Sequence, residues 1–221
     1  MSLKTNNEWM SISDMMSGLM LVFLFIAIGF MIEMQSQKDA MKDVASSYRD
    51  TKANLNETLY DKFEDDLKLW DANITKDNAI VFNSPKVLFG VNSSKLKPEF
   101  KTVLADFFPR YVNILTSKDY INEIEEVRVE GHTSNIWATS SSQKEIYLNN
   151  IKLSQNRAFE VLAYCYSLEN STIKQNRAWI EQFFRADGMA FAKMKELKNA
   201  RRVEFRVVLK SEDKVLKILK K

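Results

Sequence analysis

Between Asp14 and Glu33 the chain carries eighteen consecutive uncharged residues, Met15 to Ile32, rich in Met, Leu, Ile and Phe. In hydrocarbon every backbone amide must be satisfied within its own segment, so such a run folds as a helix. Eighteen residues at about 1.5 Å each cross most of a bilayer core of about 30 Å. The span becomes comfortable if Trp9 to Ser13 join it, and Trp9 then sits where aromatic rings anchor at the interface. Asp14 is the exception within this stretch. A carboxylate at such depth costs about 2.5–3.5 kcal/mol on insertion scales, so ionisable groups there line a pathway or face a partner. The bland alternative is a shallow carboxylate that snorkels to the headgroups.

A cleaved signal peptide fits poorly, because those carry a basic leading region, an apolar core of about 7–15 residues and a small-residue cleavage site. Here Lys4 and the amino terminus face Glu8, the core is longer, and it contains Asp14. The reading is an uncleaved, single-pass anchor. Charge alone does not orient it, since Glu33, Lys38, Asp39, Lys42 and Asp43 mix both signs beyond the span.

The 221 residues leave room for one domain of ordinary size besides this helix and a connector. A net charge of +3, with acids and bases interspersed, argues against a nucleic-acid partner. Cys165 is the single cysteine and lies in the apolar run Val161–Tyr166, which suits a small buried hydrophobe and excludes an internal disulfide. His132 is the only histidine, so neither a metal cluster nor histidine catalysis is expected, and nothing points to an enzyme.

From Glu33 to about Leu69 the apolar residues Met34, Met41, Val44, Tyr48, Leu55, Leu59, Phe63 and Leu67 recur at intervals of three, four and seven. That spacing makes a helix with one apolar stripe, which either pairs with a copy of itself or packs on the following domain. From residue 78 the texture changes. Asn78–Phe82 and Lys86–Phe89 read as strands punctuated by Pro85 and Gly90, and Pro98 opens a helix running to about Leu115. Glu123–Gly131 alternates as a half-buried strand, Tyr147–Leu168 returns to helical spacing, a short helix lies near Ile173–Ile180, and Glu181–Ala186 and Arg202–Leu209 read as strands. The order predicts an α+β sandwich with helices on one sheet face. The expected divisions are a tail over residues 1–8, a membrane helix over 9–32, a helical linker over 33–77, the domain over 78–210 and a tail over 211–221.

Four motifs in this order carry a resemblance: Val87-Leu88-Phe89 with Leu96-Lys97-Pro98-Glu99, Glu130-Gly131-His132-Thr133, Asn150-x-x-Leu153-Ser154-x-x-Arg157-Ala158-x-x-Val161, and Asn199-Ala200-Arg201-Arg202-Val203-Glu204. Together they resemble the OmpA-like peptidoglycan-binding domain. The resemblance implies a wall-binding pocket built from the loop after Gly-His-Thr and the start of the Asn-x-x-Leu-Ser-x-x-Arg helix. Thr133, Ser134, Asn149, Asn150, Leu153, Arg157 and Arg201 become its candidate residues, with Leu153 serving either packing or ligand contact. A guanidinium such as that of Arg157 can clamp a stem-peptide carboxylate through two parallel charge-assisted hydrogen bonds, assisted by helix N-terminal amides. The family commonly has Asp after Gly-His-Thr, to pair an ammonium, where this chain has Ser134. Either affinity is lower, or a residue of the insertion Ile136–Ile146, such as Glu145, substitutes.

Trp9, then Asp14 at the start of the span, then such a domain, resembles the MotB subunits of ion-driven stators. The stretch Ile12-Ser13-Asp14-Met15-Met16-Ser17-Gly18-Leu19-Met20 with Val22-Phe23-Leu24 is similar, more narrowly, to the MotB-like component of the Zorya anti-phage defence systems. The resemblance implies a bacterial inner-membrane protein with its N-terminus cytoplasmic and its domain periplasmic. It also implies a dimer surrounded by a pentamer of a ZorA- or MotA-like membrane subunit, peptidoglycan as a further partner, and a translocated proton or sodium ion rather than a cofactor. Helical spacing places Ser11, Ser17 and Gly18 on the face of Asp14, so small and hydroxyl groups surround the carboxylate, and Asp14 with Ser17 forms the candidate ion-coupling pair. Such a carboxylate must alternate between charged and neutral, and a low-dielectric interface disfavours the charged form. The alternatives are a flagellar-type stator subunit and a passive cell-wall anchor that moves no ions.

Overall fold

The computed structural model describes residues 5–83, 88–90, 92–135, 137, 142–192 and 200–212. Residues 1–4 of the expected tail, the side chain of Ser11, Lys86 and Val87 of the expected second strand, residues 136 and 138–141 of the insertion, Asn199 and the tail from 213 onward lie outside that description.

One helix, α1 (Thr5–Leu67), takes in residues 5–8 of the expected tail, the apolar span and residues 33–67 of the expected linker without a break over 63 residues, and residues 68–77 of that linker are not helical. It contains no proline, and its only glycines, Gly18 and Gly29, have open space where a Cβ would point. Among the described residues it is the one helix long and apolar enough to cross a membrane, and none of its apolar window is covered by the rest of the chain. The other end of α1 is buried. Leu55, Leu59, Phe63 and Leu67, four residues apart, face the core, whereas Met34 and Met41 stay exposed. Of the two uses open to the stripe, its second half takes packing on the domain.

After Leu67 the chain reverses through Asp71, whose φ of 49° lies in the left-handed region, into β1 (Ala72–Ile74), which pairs antiparallel with β2 (Ala79–Phe82). The three-residue β1 was not legible, being too short and polar to show a period. The domain therefore begins before the expected residue 78. The expected strand Lys86–Phe89 is corrected as well: Leu88 is helical and Phe89 makes only an isolated bridge to Leu96. Leu88 and Phe89 are apolar because they are buried, with no ladder involved.

Pro98 opens α2 (Pro98–Leu115) at the first turn, where its missing N–H costs nothing. Then follow β3 (Ile124–His132), α3 (Gln143–Tyr166), α4 (Ser171–Gln175), α5 (Arg177–Phe183), β4 (Phe184–Ala190) and β5 (Val203–Leu209). α3 starts four residues earlier than Tyr147, because Ser142 and Glu145 form a reciprocal capping box there. The strand expected from Glu181 begins only at Phe184, since Glu181–Phe183 close α5.

The five strands order as β1-β2-β5-β3-β4, antiparallel except for β3 with β4. The fold is α+β. Ile80, Phe82, Val127, Val129, Val203, Phe205 and Val207 turn one sheet face into the core. At its centre the Phe107 ring lies 5.0–6.0 Å from those of Phe63, Trp70, Phe82, Tyr111 and Phe205, joining α1, α2, β2 and β5. Arg110 ties the same corner from outside, with its guanidinium 4.8 Å from the Phe63 ring and 2.7 Å from the Asp66 carboxylate. Cys165 is buried and unpaired, and burial pushes its thiol well up. Phe107→Ala leaves five aromatic neighbours around a void and is expected to lower unfolding free energy by about 3–5 kcal/mol. A urea midpoint close to that of the parent would contradict this central role.

Candidate functional site

β3 and β4 end together, β5 starts beside them, and the first half of α3 crosses the same edge. Two glycines allow this approach. A Cβ on Gly131 would stand 2.2 Å from the Ser154 carbonyl oxygen, and one on Gly188 would stand 2.6 Å from the Gln155 nitrogen. Hydrogen bonds then fix the strand ends: Thr133 N–H donates to the Ala190 carbonyl at 2.8 Å, Ala190 N–H to the Ser154 hydroxyl at 2.9 Å, and His132 N–H to the Arg202 carbonyl at 3.0 Å. Ala190 holds a φ of 46°, uncommon without glycine, between two of these bonds.

Ala190 links Thr133 to Ser154 on α3, the helix that also carries Asn150, Leu153 and Arg157, and Arg201 lies near enough to Arg157 to act on its charge. Asn149 is half-buried on the neighbouring face of α3. Thr133 and Ser134 are buried, and the Thr133 hydroxyl has no hydrogen-bond partner. The Asn150 amide donates back to the Ile146 carbonyl at 2.9 Å, which leaves its oxygen as the available group. Leu153 is half-buried and Arg201 exposed. Glu145, proposed as a stand-in for the acid replaced by Ser134, is exposed, and its carboxylate accepts from the Ser142 amide and hydroxyl at 2.8 and 2.9 Å. Those bonds hold it below the usual carboxylate range. It serves the helix cap, and the expectation that it supplies the missing acid is corrected.

Arg157 is the unusual member. Its side chain is 5% exposed, its Nε donates to the Ser93 carbonyl at 3.0 Å, and its guanidinium lies 4.9 Å from the centre of the Phe89 ring. Burial first, and then the neighbouring Arg201, push its pKa down to about 10, with no carboxylate among the described residues to offset them. It remains charged at neutral pH. A buried guanidinium without a carboxylate partner among the described residues can accept an anion in the place of one.

At the far end of α1, Asp14 and Ser17 are exposed along the helix surface. The Ser17 hydroxyl donates to the Ser13 carbonyl at 2.8 Å. Gly18 adds no bulk there.

The structure also assembles a group the sequence reading missed. His132 Nε2 stands 3.6 Å from a Glu130 carboxylate oxygen and 3.5 Å from one of Glu204, all three side chains at 6% exposure or less. Alternation along β3 puts Glu130 and His132 on one face. Their meeting with Glu204 depends on the β3–β5 pairing, which no local pattern announces.

No family model matches the chain. It is 40% identical over 222 residues, covering 97% of this chain and 93% of the relative, to the Zorya protein ZorB of Escherichia coli (strain ATCC 8739). Among solved structures it is similar to the cell wall anchor of the T6SS from Pseudomonas aeruginosa, at 23% identity and a TM-score of 0.45 over 69% of this chain and 97% of that one. It is also similar to the periplasmic domain of Helicobacter pylori MotB, at 15% identity and a TM-score of 0.41 over 67% and 96%.

The Arg157 geometry has a consequence for stability. A base whose folded pKa lies below its unfolded value destabilises the fold while charged, a cost present at neutral pH and relieved only as pH rises through about 10. Arg157→Met removes that cost together with the Ser93 bond and the Phe89 contact, each worth about 1 kcal/mol. Its unfolding free energy at pH 7 is therefore expected to stay within about 1 kcal/mol of the parent. A large loss in chemical denaturation would show that Arg157 serves the fold.

Proposed function

The chain belongs to the ZorB family of Zorya proteins, and from that premise we propose that it is a MotB-like stator subunit of an ion-driven motor, acting in anti-phage defence. It spans the inner membrane once, with its N-terminus cytoplasmic and its domain periplasmic. A dimer of this chain sits within a pentamer of a ZorA- or MotA-like membrane subunit, and the domain grips peptidoglycan. The observation that carries the reading is the pairing, on one chain and one unbroken helix, of a membrane carboxylate with a domain presenting a buried arginine. At about 1.5 Å per residue, α1 carries Asp14 about 60 Å from Leu55, the first residue it buries in the domain.

The mechanism follows from that separation. An ion reaching Asp14 neutralises the carboxylate and lets it enter a low-dielectric contact with the partner; releasing the ion restores the charge and drives it out. Ser17 offers a second oxygen to a proton or sodium ion in transit, and Gly18 lets a partner helix approach closely. Each charge crossing about 100 mV releases about 2.3 kcal/mol, which turns the partner only if this chain is held still. Holding it still is the task of the wall site, where Arg157 clamps a stem-peptide carboxylate and Thr133, Ser134, Asn150 and Arg201 surround it. The role is one of coupling and anchoring, with no bond chemistry.

Asp14→Asn keeps the shape and removes the titratable charge. In cells carrying the complete system, it is expected to abolish phage protection at unchanged protein level. Protection equal to the parent would leave a passive anchor as the correct reading. In co-sedimentation with purified sacculi, Arg157→Met is expected to lower retention of the full chain at least tenfold, and equal retention would remove Arg157 from the wall site.

A further inference from the structure

We propose that Glu130, His132 and Glu204 form a divalent metal site of the Zn2+ type bridging β3 and β5. The three donor atoms lie within 4.8 Å of one another. The His132 ring is 1% exposed, and neither of its nitrogens has a hydrogen-bond partner. Its Nε2 nevertheless points at two carboxylate oxygens, 3.6 Å away on Glu130 and 3.5 Å away on Glu204. Those separations are too long for N–H···O bonds, which fall at about 2.7–3.2 Å. They suit donors sharing one ion, since tetrahedral bonds of about 2.0–2.1 Å set neighbouring donors about 3.3 Å apart. Imidazole with two carboxylates is a ligand set that zinc accepts, with the fourth position left to water.

The surrounding groups fit that role. Arg206 donates to the other oxygen of each carboxylate, at 3.2 Å to Glu130 Oε1 and 2.9 Å to Glu204 Oε2. It thereby orients both ligands from outside, as outer partners of metal-bound carboxylates do. Arg202 Nε lies 2.6 Å from Glu204 Oε1, the oxygen that faces His132. An ion must share that oxygen with a guanidinium, so the site binds less tightly than a structural zinc site without cations nearby. Its position gives it a use independent of ion flow. His132 immediately precedes Thr133 and Ser134, so an ion here clamps the strand end on which those residues stand.

The test uses the full chain in detergent with a tag free of histidine, stripped by a chelator and dialysed against Zn2+ or Co2+. One equivalent of retained metal is expected, with the visible absorbance of tetrahedral Co2+, and retention at least tenfold lower in His132→Gln. Because His132 is the only histidine, its imidazole 15N resonances report the site in the unaltered protein, whether or not the variant folds. They are expected to shift on adding one equivalent of Zn2+. Resonances that do not move at saturating Zn2+, or metal retention equal in parent and variant, would overturn the site and leave His132 as an imidazole held between two carboxylates.

Discussion

Phe107 stands where the long helix, the second helix and the sheet meet, with rings from Phe63, Trp70, Phe82, Tyr111 and Phe205 packed around it. The same helix is also tied to the domain by buried Leu55 and Leu59 and by the Asn56 amide, which donates to the Thr75 carbonyl and the Asn78 side chain. With these contacts, the last turns of α1 become part of the core, and displacement at the apolar end is transmitted to the sheet through packed side chains. Packed interiors resist deformation because side chains interdigitate at crystal-like density. The Arg110 ties to Asp66 and to the Lys62 carbonyl reinforce the same corner from its rim.

The opposite edge of the sheet depends on absent side chains. Gly131 and Gly188 let α3 settle on β3 and β4 at backbone distance, and that approach brings Ser154, Ala190 and Thr133 into one hydrogen-bonded chain. The positive φ of Ala190 and the register shift at Gly131–His132 mark the cost of ending both strands there. Farther along α3, Arg157 is buried over Phe89 with exposed Arg201 near it.

Much of this was legible before any coordinates. The apolar run after Asp14 announced a helix long enough to cross a membrane, Pro98 announced α2, and the alternation around Val127 and Val129 announced β3. Arg157 and the other candidate residues were singled out through the order of motifs, a property of the whole domain. What escaped were features set by long-range pairing. β1 has three residues and exists because β2 offers it an edge, while Leu88 and Phe89 look like strand residues but are apolar through burial alone. Glu145 seemed free to replace a missing acid, yet its position three residues after Ser142 commits it to a helix cap. The Glu130–His132–Glu204 group needs two strands more than seventy residues apart to be paired in one register.

In the proposed function two sites need each other, a titratable group at Asp14 and a grip at Arg157. Its central claim is that Asp14 carries the ions. Flux into vesicles containing the full chain together with its MotA-like partner, driven by an imposed membrane potential, tests this most directly. Asp14→Asn is expected to reduce flux to the background of empty vesicles, while Arg157→Met conducts like the parent because the grip lies off the ion path. Flux through Asp14→Asn equal to the parent's would contradict the account.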